Sequence, residues 1–130
     1  MSIEGEEDVV FELEDPLATD QLTIKLEEDC VLSGEIDVKE LTAELREDSY
    51  LDLEGRVGEL DLEASEDSSI KGYDLEVGDI KAELRNDSEA KLTINGNIEL
   101  RANGDSNFYY RGNGKVVKQR LSGDAEIKYW

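Results

Sequence analysis

The chain has no histidine, a single cysteine (Cys30), a single proline (Pro16), a single tryptophan (Trp130), and 14 basic residues against 34 acidic ones in a length of 130. Each shortage excludes something. Without histidine, neither a Ser-His-Asp nor a Cys-His catalytic arrangement can form, and the usual Cys/His zinc site cannot be assembled. A lone cysteine cannot close an intrachain disulfide, and Cys30 is expected to be buried. The net charge of −20 argues against nucleic acid as a partner, because phosphate binding needs a basic footprint. The same charge disfavours adsorption to an anionic membrane. No stretch approaches the roughly 18 apolar residues of a membrane-spanning helix, so direct membrane insertion is not expected. Met1–Asp8 lacks the basic and apolar regions of a signal peptide, so either the protein stays inside the cell or Met1 begins an excised segment. The acidity reads first as a solubility device.

What is present is a period. Asp8, Asp29, Asp48, Asp67, Asp87, Asp105 and Asp124 are separated by 21, 19, 19, 20, 18 and 19 residues, and Ser49, Ser68, Ser88 and Ser106 follow four of them. Three residues beyond each Asp stands an apolar side chain (Phe11, Leu32, Leu51, Ile70, Ala90, Phe108, Ile127). Seven residues before lie Leu22, Leu41, Leu60, Ile80, Ile98 and Val117; five before, Ile24, Ala43, Leu62, Ala82, Leu100 and Gln119; three before, Leu26, Leu45, Ala64, Leu84, Ala102 and Leu121. Charged residues fill the alternate positions, which is the period-two mark of half-buried strands. A shorter mid-coil segment carries Ile36, Val57, Val77, Ile94 and Val116. Repeats of this length stack like on like. The expected fold is therefore all-β: a parallel β-helix, or β-solenoid, of about six coils with a period near 19 residues. The handedness rule for parallel connections makes it right-handed. Residues 1–130 read as one solenoid domain, with 1–20 an irregular N-terminal coil or cap that accommodates Pro16, and 106–130 the C-terminal coils and cap. Gly34 and Gly72, five residues past their Asp, are expected at bends or bulges.

Asp29, Asp48, Asp67, Asp87, Asp105 and Asp124 invite a calcium reading. Their spacing lacks the dense ligand loop that six to eight oxygens would need. They read instead as turn residues, Asp and Ser side chains capping tight corners. With 34 acids any catalytic carboxylate pair can be invented, so no catalytic, metal or cofactor residue is assigned and an enzyme is not expected. The aromatics carry more information. Phe108, Tyr109, Tyr110, Tyr129 and Trp130 cluster at the C-terminus, with alternation placing Phe108, Tyr110 and Tyr129 inward and Tyr109 and Trp130 outward. They read first as a seal over the last coil, made by residues 125–130. A second reading makes Tyr109, Arg111 and Trp130 a binding surface for a glycan or protein. Val10, Val31 and Tyr50 form an outward apolar stripe that serves as a contact surface or lies under the N-terminal segment. Residues 106–130 hold five basic and two acidic residues, a charge of +3, which leaves −23 on residues 1–105.

The run from Ser65 to Ile127, with its recurring Asp-Ser corners and the closing segment Tyr109–Gly123, resembles the bacterial envelope proteins of the putative auto-transporter adhesin, head GIN domain family; Gly114 stands where that closing segment usually has proline. The resemblance implies a right-handed β-helix in an exported, often lipid-anchored envelope protein, with no catalytic residues to carry over. The reading that follows is a non-enzymatic, structural or adhesin-like domain presenting a rigid surface to a protein or glycan. The alternative is a scaffold whose basic C-terminal end meets the acidic N-terminal end of another copy, forming a weak homo-oligomer.

Overall fold

A residue that recurs every 19 positions can meet its own equivalent across a hydrogen-bonded ladder only if successive coils run parallel and in register. The structure, a computed structural model, describes residues 1–129. Its strands are β1 (Ser2–Glu6), β2 (Val10–Glu12), β3 (Leu17–Glu27), β4 (Val31–Leu45), β5 (Tyr50–Ala64), β6 (Ser69–Leu84), β7 (Glu89–Ile94), β8 (Asn97–Ala102), β9 (Asn107–Arg111), β10 (Lys115–Leu121) and β11 (Glu126–Tyr129). Every pairing is parallel: β1 with β3, β2 with β4, then β3–β4–β5–β6 in succession. Beyond β6 the ladder divides into β7–β9–β11 and β8–β10. The result is a β-solenoid of about seven turns, one more than the spacing between Asp residues implied. The short segments outside the first and last Asp, β1 and β11, also pair in register, so they add to the stack.

Each coil divides into three runs. In β5, Leu51 and Leu53 point inward, then Val57, then Leu60, Leu62 and Ala64. Two consecutive exposed residues between Val57 and Leu60 shift the inward phase by one, which marks a corner. The ladder irregularities at Asp52/Gly55 and Gly72/Glu76 mark another, and the Asp turn makes the third. We call the runs face A (residues 50–53 in this coil), face B (55–57) and face C (59–64).

The core fills the space between the faces. Leu41 pairs with Leu60, Leu60 with Ile80 and Ile80 with Ile98, and all four are buried. Cys30 is buried as expected. Three assignments need correction at the C-terminal end. A register slip between Val116 and Lys118 puts Val116, not Val117, opposite Ile98, and leaves Val117 52% exposed. Gln119 keeps its expected place opposite Leu100 but is exposed, which spares its amide the cost of burial. Tyr129 follows Leu92 and Tyr110 in the inward column, yet it is 65% exposed because no described coil lies over it. Its ring meets Tyr110 edge-on at 5.2 Å, and its hydroxyl donates to the Gly112 carbonyl at 3.1 Å. The described part of the expected C-terminal seal is thus a partial one, and Trp130 lies outside the described residues. At the other end Phe11 leans over Gly5, where a Cβ would come within 2.8 Å of the Phe11 ring.

The glycines show why side-chain identity matters at corners. Gly72 sits at a ladder irregularity, as its position suggested, but Gly34 does not. A Cβ at Gly34 would lie 2.5 Å from that of Leu13, so this glycine makes room for a neighbour. A second glycine column, Gly58–Gly78–Gly96, was not read from the sequence. It turns the B–C corner, and a Cβ at Gly78 would come 2.4 Å from the Gly58 carbonyl oxygen, backbone that cannot move aside without opening the ladder. Gly78→Ala should therefore destabilise the protein although its position is only half-buried. Leu62, fully buried with coils on both sides, should cost roughly 2–5 kcal/mol when cut to Ala, whereas Asp61→Ala on the outer side should cost about 0.5 kcal/mol or less. Urea denaturation of the three variants checks both statements; comparable losses for Leu62 and Asp61 would mean that the inward phase is inverted.

Candidate functional site

The six Asp residues singled out from the sequence all lie in the turns joining face C to face A. Glu28-Asp29, Glu47-Asp48, Glu66-Asp67 and Asn86-Asp87 each place two successive residues at positive φ, between 51° and 70°. At Asp105 and Asp124 the preceding Gly104 and Gly123 adopt the left-handed conformation and the Asp does not. The expectation that Asp side chains cap these corners needs correction. Among the described residues, none of the six carboxylates accepts a hydrogen bond; the Asp backbone makes the links instead, as where the Asp29 amide donates to the Glu47 carbonyl and Asp48 to Glu66, both at 2.9 Å. Side-chain capping falls to the next residue: the Ser49 hydroxyl donates to the Arg46 carbonyl and Ser88 to Arg85, both at 2.7 Å. Cys30 occupies the same column, and its thiol donates to the Glu27 carbonyl at 2.9 Å. In the same column the Ser106 hydroxyl accepts instead from the Ser88 amide at 3.3 Å, and Ser68 is a buried hydroxyl with no partner among the described residues. No group of three or more Cys, Asp or Glu side chains is placed to hold a metal ion among the described residues.

The turn edge stacks carboxylates on carboxylates. The Glu28 carboxyl is raised above its ordinary value, first by loss of solvation and then by the Glu47, Glu7, Glu27 and Glu6 carboxylates. Its charged form is thus disfavoured in the folded state. That penalty is complete above the folded pKa and is relieved as pH falls through it. Thermal stability should accordingly rise as pH drops from neutrality toward the ordinary carboxylate value, and Glu28→Gln should raise Tm at neutral pH and flatten the dependence. Glu47→Asn should add to stability by another route, since Asn tolerates the left-handed conformation that costs other residues roughly 1 kcal/mol. Asn86 already holds the equivalent position. A melting series against pH checks both; a Tm for Glu28→Gln that falls or tracks the parent would contradict the repulsion argument.

The functional interest lies on face A. Its outward column four residues past each Asp runs Ser33, Asp52, Lys71, Lys91, Tyr109, Lys128, every step paired in register. Over the last coils an acidic molecule thus presents a basic and aromatic strip. The Tyr109 ring lies between two ammonium groups, Lys91 Nζ at 5.9 Å from its centroid and Lys128 Nζ at 5.8 Å. Each lysine is held by the carboxylate two residues before it, Lys91 by Glu89 at 3.1 Å and Lys128 by Glu126 at 2.9 Å. These hydrogen bonds, then the same carboxylates' charge, lift both ammonium pKa values above the ordinary lysine value and keep the groups protonated.

Arg111, two residues along from Tyr109, is exposed and places its guanidinium carbon 4.1 Å from the centroid of the Tyr73 ring. Tyr73 reaches it through a bulge: Gly72 pairs with Leu92 and Glu76 with Thr93, leaving residues 73–75 without partners on the β7 side, while Leu75 still pairs with Gly55 of β5. The Thr93 hydroxyl ties this bulge down by donating to the Tyr73 carbonyl at 2.5 Å. The structure therefore brings Tyr109 and Arg111 to one face, whereas Trp130 lies outside the described residues. Sequence reasoning missed Lys71, Tyr73, Lys91 and Lys128. The three lysines were legible as members of the column; Tyr73 was not, because only the bulge puts it there. At the N-terminal end of the same face Val10, Val31 and Tyr50 pair in register; Val31 and Tyr50 are half-buried, and Val10 is 66% exposed, so no described segment covers it.

Comparison with known proteins agrees with this architecture. A crystal structure of a putative lipid binding protein from Parabacteroides distasonis ATCC 8503 superposes with a TM-score of 0.94 at 16% identity, over 100% of this chain and 53% of that one. At that identity the likeness establishes the fold, and the chain spans about half the length of its structural relative. No protein with a curated description matches. The family model described as putative auto-transporter adhesin, head GIN domain, matches residues 1–114, and the chain belongs to that family.

Proposed function

We infer that this chain is a non-enzymatic, adhesin-like domain of an exported bacterial envelope protein, whose stacked coils hold a rigid outer face for a protein or glycan ligand. The observation that supports this reading most directly is the strip on face A, where Arg111 is stacked on Tyr73 and Tyr109 stands between Lys91 and Lys128. Aromatic rings backed by cations supply contact area and oriented donors without a cleft, which suits a surface that grips a ligand and does not transform it. Family membership favours the same reading over an enzymatic one. The structural relative's name refers to lipid binding; in this chain the space between the faces is filled by buried Leu, Ile, Val and Ala side chains, so a lipid would have to lie on an outer face. Membership of an auto-transporter adhesin-like family is also what supports export.

The experiment is a binding screen of the purified chain against a glycan array and an extract of bacterial envelope proteins, beside a Tyr109→Ala/Arg111→Ala variant. Binding by the parent that the variant loses, at unchanged Tm, is the expected outcome. Binding that survives the double substitution would move the site elsewhere, and turnover of a glycan would remove the non-enzymatic reading.

A further inference from the structure

Over its last coils face A carries more cations than anions, Lys71, Lys91, Arg111 and Lys128 against Glu89 and Glu126, and Lys91, Arg111 and Lys128 are held in set orientations. Arg111 forms no ion pair among the described residues, and its contact with the Tyr73 ring fixes one side of the guanidinium while the N–H edge stays available. Ring contact holds a cation without neutralising it, unlike a carboxylate partner. The carboxylate nearest in the Arg111 column, Glu76, is two coils away with Thr93 between. Lys71, at the head of the lysine column, is exposed and also lacks an ion pair among the described residues. Lys91 and Lys128 stay protonated on either side of Tyr109, each with the Glu89 or Glu126 carboxylate beside it, so they add less net charge to the strip than Arg111 and Lys71 do. The cations thus repeat along the rod at multiples of the coil spacing, about 4.8 Å, on a flat support.

Resting on the adhesive reading above, we propose that this strip is a binding site for an acidic polysaccharide, lying along the rod axis with its carboxylate or sulfate groups on Arg111, Lys71 and the Lys91/Lys128 pair. The strands beneath the strip are paired on both sides, β7 with β6 and β9, and β9 with β7 and β11. A peptide cannot add to them as another strand, so recognition has to come from side chains. A stiff chain with an anion on each sugar meets a rigid array of cations with less ordering cost than a disordered acidic peptide does. An anionic bilayer would bring many negative charges against the rest of a molecule of net charge −20, whereas a single strand touches only the strip.

The test uses isothermal titration of the full chain at moderate salt with polygalacturonate and chondroitin sulfate. Fully methyl-esterified polygalacturonate, poly-L-glutamate and phosphatidylglycerol vesicles serve as the contrasts. The expected result is binding to one or both acidic polysaccharides that weakens with added salt, none to the neutral ester, and about a tenfold loss in Lys71→Gln/Arg111→Gln, as charge-assisted hydrogen bonds of this kind imply. Which polysaccharide binds tells carboxylate from sulfate. Arg101→Gln/Arg120→Gln, removing exposed cations on face C, should leave binding within a few-fold, and circular dichroism melts confirm that every variant folds. Equal binding of poly-L-glutamate or of the vesicles, or a loss confined to the face C variant, overturns the proposal. Capture of a neutral glycan or an envelope protein on face A, with no polysaccharide binding, also overturns it but leaves the adhesive reading standing. No binding to any ligand class would remove both.

Discussion

Apart from the bulges between faces A and B, the residues in the middle of this molecule meet their counterparts one coil above and one coil below. That single condition, parallel stacking in register, decides what each position can hold. A leucine column must be apolar throughout, because any member touches two others; Leu41, Leu60, Ile80 and Ile98 satisfy this. From β5 onward the corner between faces B and C is narrow, because a side chain there would strike the backbone of the coil before it, whereas Asp20 and Lys39 at the same corner in earlier coils point into solvent. Gly58, Gly78 and Gly96 meet that demand, each lacking a Cβ where the previous carbonyl passes. The buried hydroxyls beside the turns follow the same logic at smaller scale, with Ser49 and Ser88 closing their own corners.

Stacking like on like is unfavourable for charge, and the arrangement of ion pairs reflects it. Acidic columns face acidic columns across coils, most plainly at the turn edge, where Glu28 feels Glu47 on one side and Glu7 on the other. Much of the relief comes along the strand. Arg46 pairs with Glu44, Arg85 with Glu83, Lys91 with Glu89 and Lys128 with Glu126, each two residues apart and so on the same side of one strand. Such exposed pairs contribute little stability individually. Their consequence is positional, because each holds a long flexible cation at a set height on the face. The left-handed Glu-Asp corners carry a conformational cost that glycine at Gly104 and Gly123 avoids. The paired ladders of β4, β5 and β6 on either side hold those corners in place.

The parts of the structure fixed by periodicity were legible in the sequence. The spacing of the Asp residues gave the ladder register, the alternation gave the buried columns, and both follow from period-two side-chain geometry. What escaped were local departures from the repeat. Val116 and Val117 are the same residue type, so nothing in their chemistry tells which one faces inward once the register slips. The Gly58 column lies in the most variable third of the coil, where residue counts differ between repeats. Of the capping expected from Asp and Ser together, only the Ser part holds, since the Asp backbone links one turn to the next while the following Ser reaches back to close its own. Tyr73 is the most instructive omission: it takes part in the candidate site only because residues 73–75 leave the ladder to β7, and Thr93 then ties the bulge down.

That bulge also shows how a repetitive rod acquires a distinct place on its surface. An unbroken ladder can offer only columns, and columns of like charge repel a ligand or attract it uniformly along their length. By stepping out of register, the chain brings one aromatic ring against a guanidinium two coils away, which has no ion pair among the described residues. The switch of the outward column from Asp52 to Lys71, Lys91 and Lys128 sets the sign of the neighbouring field over the same stretch. Rigidity then follows from the fold itself: the strands beneath are hydrogen-bonded on both sides and packed on a filled core, so the cations are held apart at intervals set by the coil spacing. A ligand that matches those intervals meets an array already in place, with little left to order on binding beyond the side chains themselves.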